Sequence, residues 1–88
     1  LGAVLDHLGA AGIVDLMVEG GPTLSAALLR GGLIDRLVLY LGARVAGGVG
    51  RPAFDGGFAT LADATPFAIG DVTMMGPDVR IVCERTAP

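Results

Sequence analysis

The sequence has no tryptophan, one cysteine, one histidine and one tyrosine, and its six basic residues are outnumbered by nine acidic ones. A net charge of -3 leaves no basic face for a nucleic acid. With aromatics at 5%, stacking platforms for unpaired bases are missing too. The longest apolar runs, such as Leu37 to Ala43, fall short of the roughly 20 residues that cross a bilayer, so no membrane partner is expected. No basic stretch followed by a cleavage site heads the chain. Cys83 has no partner for an internal disulfide, and the expected setting is a reducing cytoplasm. His-x-Glu and Pro-Cys-x-x-Cys are both absent, so no metal site of the zinc-deaminase kind is expected.

What the chain does have is apolar surface. Apolar residues make up 52% of 88 positions and charged ones 17%, at a mean hydropathy of +0.68. That is rich for a small soluble monomer, and part of this surface is expected to meet another one. The cover would come from an absent N-terminal part, a second subunit, or both. Leu1 is not a starter Met, and the chain enters a helix pattern at once, which reads as a piece of a single larger domain.

Val4, Leu5, Leu8 and Ala11 recur at helical spacing and predict a helix over residues 2–11, with Gly9 and Gly12 framing its end. Residues 13–18 are apolar with little alternation, the pattern of a strand buried on both faces in a parallel sheet. After Gly20-Gly21-Pro22, a helix runs from Thr23 to Arg30 with Leu24, Ala27 and Leu28 on one face and Pro22 in its first turn; Gly31-Gly32 ends it. Leu37 to Leu41 predicts a second buried strand, completing a right-handed strand, helix, strand unit. Residues 46–66 read as a glycine- and proline-rich loop with a short turn near Leu61 to Ala64. Phe67 to Met75 and Val79 to Arg85 predict a closing antiparallel hairpin around Gly76-Pro77-Asp78.

Chemistry concentrates where the first strand meets the second helix. A strand, two glycines, Pro-Thr and a helix aim free N–H groups at whatever lies above the sheet edge, which favours anions. Without Cβ atoms, Gly20 and Gly21 let backbone approach a phosphate and adopt dihedrals closed to other residues; Thr23 and Ser25 add hydroxyls. On spacing alone the same turn is equally an ordinary capped junction. Glu19 is sharper, because a carboxylate ending a buried strand must cap the helix or meet a ligand.

The run VEGGPTLSAALLRGGLIDRLVLYLGARVAGG, Val18 to Gly48, with Arg51-Pro52-Ala53-Phe54 and Asp78-Val79-Arg80-Ile81, resembles the reductase domain of the bifunctional riboflavin-biosynthesis deaminase/reductase family. The resemblance implies the C-terminal half of a dihydrofolate-reductase-like α/β domain: a mixed sheet, flanking helices and the closing hairpin. It also implies NADPH-dependent reduction of 5-amino-6-(5-phosphoribosylamino)uracil, with hydride passing to the imine carbon of the ring-opened ribosylamine. Carried over by position, Glu19 contacts the phosphorylated pyrimidine. Gly20, Gly21, Pro22, Thr23, Leu24, Ser25, Ala26 and Ala27 line the cofactor site, largely through backbone. No residue is assigned as a proton donor. A homodimer meeting through the hairpin is expected. The family's domain is about twice as long, so the whole site is not expected within these residues.

Other features carry less. Gly48-Val49-Gly50-Arg51-Pro52-Ala53 imitates a dinucleotide fingerprint, with Asp71 near the usual distance, but Pro52 and later glycines leave no helix behind it; a flexible loop is expected, with some prospect of touching cofactor. His7 reads as a surface residue, Cys83 as a buried apolar one, and Met74 and Met75 as packing or subunit contacts. Arg44 ends an apolar strand, where it would meet either a phosphate or a surface carboxylate. Rival readings keep the fold and cofactor with another substrate, or make the chain a non-catalytic dimerisation module.

Overall fold

The computed structural model describes residues 1–48, 50, 52–58 and 60–86. The order is α1 (Gly2–Ala10), α2 (Pro22–Arg30), β1 (Arg36–Leu41), a 3-10 turn (Leu61–Asp63), β2 (Phe67–Met75) and β3 (Asp78–Arg85). Val49 and Arg51, part of the fingerprint look-alike and of the resemblance, lie outside the described residues.

Both helices stop by one device. Gly12 (φ +92°) and Gly32 (φ +66°) take the left-handed conformation just past the helix. Each glycine N–H bonds back to Gly9 or Leu29, and the next N–H, of Ile13 or Leu33, reaches Leu8 or Leu28. The last carbonyls are thereby satisfied. Pro22 opens α2 where its missing N–H goes unneeded. Of the predicted face of α2, Leu28 is buried while Leu24 and Ala27 are exposed, and Ala26, outside that face, is buried too. The reason is that residues 54–58 cover the Ala26 and Leu29 side of the helix.

The sheet has order β1-β3-β2, with both pairings antiparallel. Gly76 (φ +64°) and Pro77 form the two-residue hairpin turn between Met75 and Asp78. Of the two turns that suit such hairpins, proline excludes type I′, which needs positive φ at both positions; the type II′ arrangement, glycine first, remains.

Directly paired residues share a face of the sheet. One face therefore collects Leu37, Leu39 and Leu41 from β1, Val79, Ile81 and Cys83 from β3, and Ile69, Val72 and Met74 from β2. Strict alternation along β2 would put Asp71 and Thr73 beside Ile69. A register shift between Ile69 and Asp71, at Gly70, inserts one residue and returns Val72 and Met74 to the apolar face. The opposite face carries the Arg36 to Glu84 pair at 2.8 Å and Asp71, which takes Thr73 Oγ1 at 2.8 Å and lies 3.5 Å from Arg80.

Two expectations are corrected. Residues 13–18 form no strand, because no strand among the described residues runs alongside them; Val14 is 93% and Met17 81% exposed. The strand, helix, strand unit and the parallel part of the mixed sheet are thus not formed, and only antiparallel pairs exist among the described residues. Likewise β1 is paired on one side only, and from Val38 to Leu41 it is exposed rather than buried. The buried side chains among the described residues are Ala26, Leu28 and Cys83, on α2 and the central strand.

Candidate functional site

Glu19 to Ala27 comprises an extended segment and the first turns of α2. Gly21 is the residue before the helix, at φ -73° and ψ 178°, and no side chain caps the turn. The first intrahelical bond runs from Ser25 N–H to the Gly21 carbonyl at 3.1 Å. Upstream of it, the N–H groups of Thr23 and Leu24 stand outside the helical ladder, pointing out of the positive end of the helix dipole. No acidic residue lies in that first turn to oppose an anion.

The two glycines play different parts. A Cβ on Gly20 would come within 2.8 Å of Leu24 Cδ2, so the missing side chain makes room for Leu24. Around Gly21 a Cβ would meet nothing within 4 Å, so this backbone is open to an incoming group. Neither glycine has positive φ, which corrects the expectation of restricted dihedrals. The residue before a helix takes an extended conformation available to any residue, and close approach is what remains of the reason for glycine. Glu19 is exposed and makes no cap bond, so the argument from the cost of burying it falls, because the strand meant to bury it is not formed. Thr23 and Ala27 are exposed, Pro22 and Ser25 half-buried. Ala26 is buried and faces the loop, away from the open turn.

The loop after β1 is better held than expected. The N–H of Asp55 donates to the Pro22 carbonyl at 3.1 Å, and Arg30 Nη2 donates to the Asp55 carbonyl at 3.1 Å. Ala26, Leu29 and Arg30 then line a cleft of about 120 Å³ with Phe54, Asp55, Gly56, Gly57 and Phe58. Sequence reading missed Arg30 and Asp55; the only local hint was Asp-Gly-Gly, a turn signal whose partner 25 residues away carries no mark. At the other end of α2, Arg85 bonds the Gly32 carbonyl and reaches Asp35 at 3.1 Å, tying the helix exit to β3. His7 is exposed, Cys83 is buried, and Arg44 is exposed and takes part in none of the ion pairs of the described residues.

The family model of the RibD C-terminal domain matches residues 1–80. Riboflavin biosynthesis protein RibD of Escherichia coli is 39% identical over 74 residues, covering 83% of this chain and 20% of that protein. A 2,5-diamino-6-ribosylamino-4(3H)-pyrimidinone 5′-phosphate reductase of Methanothermobacter thermautotrophicus is 35% identical over 78 residues, 86% of this chain and 36% of its own length. Among solved structures, RibD of Acinetobacter baumannii superposes with a TM-score of 0.88 at 32% identity, over 96% of this chain and 24% of that one. The chain therefore spans about a fifth to a third of these relatives, and the α/β, dihydrofolate-reductase-like class expected from the resemblance holds. With residues 1–80 matched by the family model and 96% of the chain superposed on a solved RibD, this chain belongs to the RibD C-terminal domain family.

Proposed function

We propose that this chain supplies the cofactor turn and one substrate contact of an NADPH-dependent reductase that converts 5-amino-6-(5-phosphoribosylamino)uracil to its ribitylamino product. The observation that carries this reading is the open, uncapped N-terminus of α2 at Gly21, inside a family with relatives named as reductases of such pyrimidines.

The residues present fit a dinucleotide diphosphate. Thr23 and Leu24 offer N–H groups, Thr23 adds an exposed hydroxyl, and nothing blocks the approach to Gly21. The bound nicotinamide supplies the hydride. This chain's own share is binding and orientation. Glu19, exposed in the extended segment before Gly20, would accept hydrogen bonds from amino or hydroxyl groups of the substrate. Leu24 screens Gly20, which confines close approach to Gly21.

Further parts of the reading concern assembly and setting. A second copy would cover the apolar sheet face at Ile69, Val72 and Met74, all exposed, giving a homodimer through the hairpin strand β2. The reaction belongs in the cytoplasm, where a buried free thiol such as Cys83 stays reduced. A second substrate has an observation in its favour, since the archaeal relative is named for a 2,5-diamino pyrimidinone. Turnover by the intact protein of both pyrimidines, with NADPH and with NADH, separates these cases. The aminouracil with NADPH is expected to be the best pair. Preference for the diamino compound would move the assignment to that substrate, and turnover of neither would remove it.

A further inference from the structure

Residues 54–58 leave the sheet side of the molecule and return to α2, and a single residue holds the return at both ends. The N–H of Asp55 reaches the Pro22 carbonyl in the first turn of the helix, and its carbonyl receives Arg30 from the last turn, each at 3.1 Å. The Asp55 carboxylate takes the N–H of Gly56 at 2.9 Å and bends the chain. Gly56 sits at φ +70°, and a Cβ there would run into the Arg30 guanidinium. The left-handed backbone favours glycine, and any larger residue would push the Arg30 guanidinium off the loop.

Besides covering Ala26 and Leu29 across a cleft of about 120 Å³, the loop is therefore fixed to α2 by directed hydrogen bonds. Among the described residues, the Asp55 N–H is also the one bond from outside α2 to its uncapped first turn. We infer that Arg30, Asp55 and Gly56 form a strap that positions the first turn of α2, and with it the free N–H groups of Thr23 and Leu24, for the diphosphate of the cofactor. The inference rests on the cofactor reading above. These three are positioning residues, acting through the Pro22 carbonyl. The Arg30 bond is exposed, so it adds little to global stability, while a small displacement of a binding turn is felt strongly in affinity.

The test uses the full-length protein with Arg30→Ala, Arg30→Lys, Gly56→Ala and the Arg30→Ala/Gly56→Ala pair, measuring kcat, both KM values and thermal stability. Arg30→Ala and Gly56→Ala should each raise KM for NADPH about tenfold, while kcat and the pyrimidine KM change by less than about twofold. Arg30→Lys should recover part of the loss, because an ammonium can still donate to the Asp55 carbonyl. Gly56→Ala should cost less in the Arg30→Ala background, where its collision partner is gone. Unchanged NADPH KM in the strap variants, with binding abolished by Gly21→Asp, overturns the strap and leaves the cofactor reading standing. A uniform fall in kcat, both affinities and stability also overturns it, as that is the mark of a merely structural contact. Should Arg30→Ala not fold, Arg30→Lys and Gly56→Ala decide in the same way. If Gly21→Asp leaves NADPH binding intact, the cofactor reading fails first and the strap with it.

Discussion

Glu19 and Gly21 stand two positions apart and are assigned opposite tasks, one recognising hydrogen-bond donors and the other admitting an anion. Glu19→Gln keeps size and shape but removes the charge, so it should weaken the pyrimidine contact and spare the cofactor. A fall of about 10- to 100-fold in kcat/KM for the pyrimidine is expected, with NADPH affinity unchanged, as a charged hydrogen bond is worth roughly 1.5–3 kcal/mol. Steady-state kinetics with both reactants varied checks this; an NADPH effect of similar size would contradict the division. Residue identities at the turn were legible in the sequence, because glycines, proline and threonine in that order have few structural uses. Their reasons were not all legible: Gly20 makes room for Leu24 and Gly21 leaves open space, a difference that depends on one side-chain rotamer. Arg30 and Asp55 were not legible at all, since their pairing is set by how a loop returns over the helix.

At the scale of elements, helix ends and the hairpin could be read from glycines and periodicity, and both came out within a residue or two of the prediction. Local rules govern them: a left-handed glycine past each helix, and Gly-Pro at the tight turn. Residues 13–18 had an equally clear pattern yet form no strand, because a buried strand is made by neighbours on both sides and none lies beside them among the described residues. The orientation of β2 was hidden for another reason. Its bulge at Gly70 breaks the period of two, and only pairing with β3 reveals which side chains share a face. Deleting Gly70 removes the extra residue and leaves Phe67, Ala68 and Ile69 opposite Arg85, Glu84 and Cys83 on their present faces, so stability should change by less than about 1 kcal/mol. Denaturant melting of the full-length protein measures this, and a loss of more than about 3 kcal/mol would show that the bulge does more than set the register.

The whole molecule exposes 6904 Å² at 8.8 kDa, against about 4,800 Å² for a compact monomer of that mass. Its radius of gyration, 14.8 Å, likewise exceeds the value of about 12 Å for 88 residues. The surplus lies where composition pointed, in residues 13–18 and across the apolar sheet face. Val72→Lys, which places a charge on that face, should convert a dimer of the intact protein to monomer; light scattering that still reports the dimer would move the contact elsewhere. If the open turn at Gly21 receives the cofactor, titration of the intact protein with NADPH, before and after Gly21→Asp, will show it. Aspartate is a favoured residue before a helix, the backbone there is extended, and its Cβ meets nothing within 4 Å, so the fold should be kept. Its carboxylate would take the Thr23 and Leu24 N–H groups and repel the diphosphate. NADPH affinity should fall at least about tenfold with thermal stability retained, and unchanged affinity in a folded variant would rule out a cofactor site at Gly21.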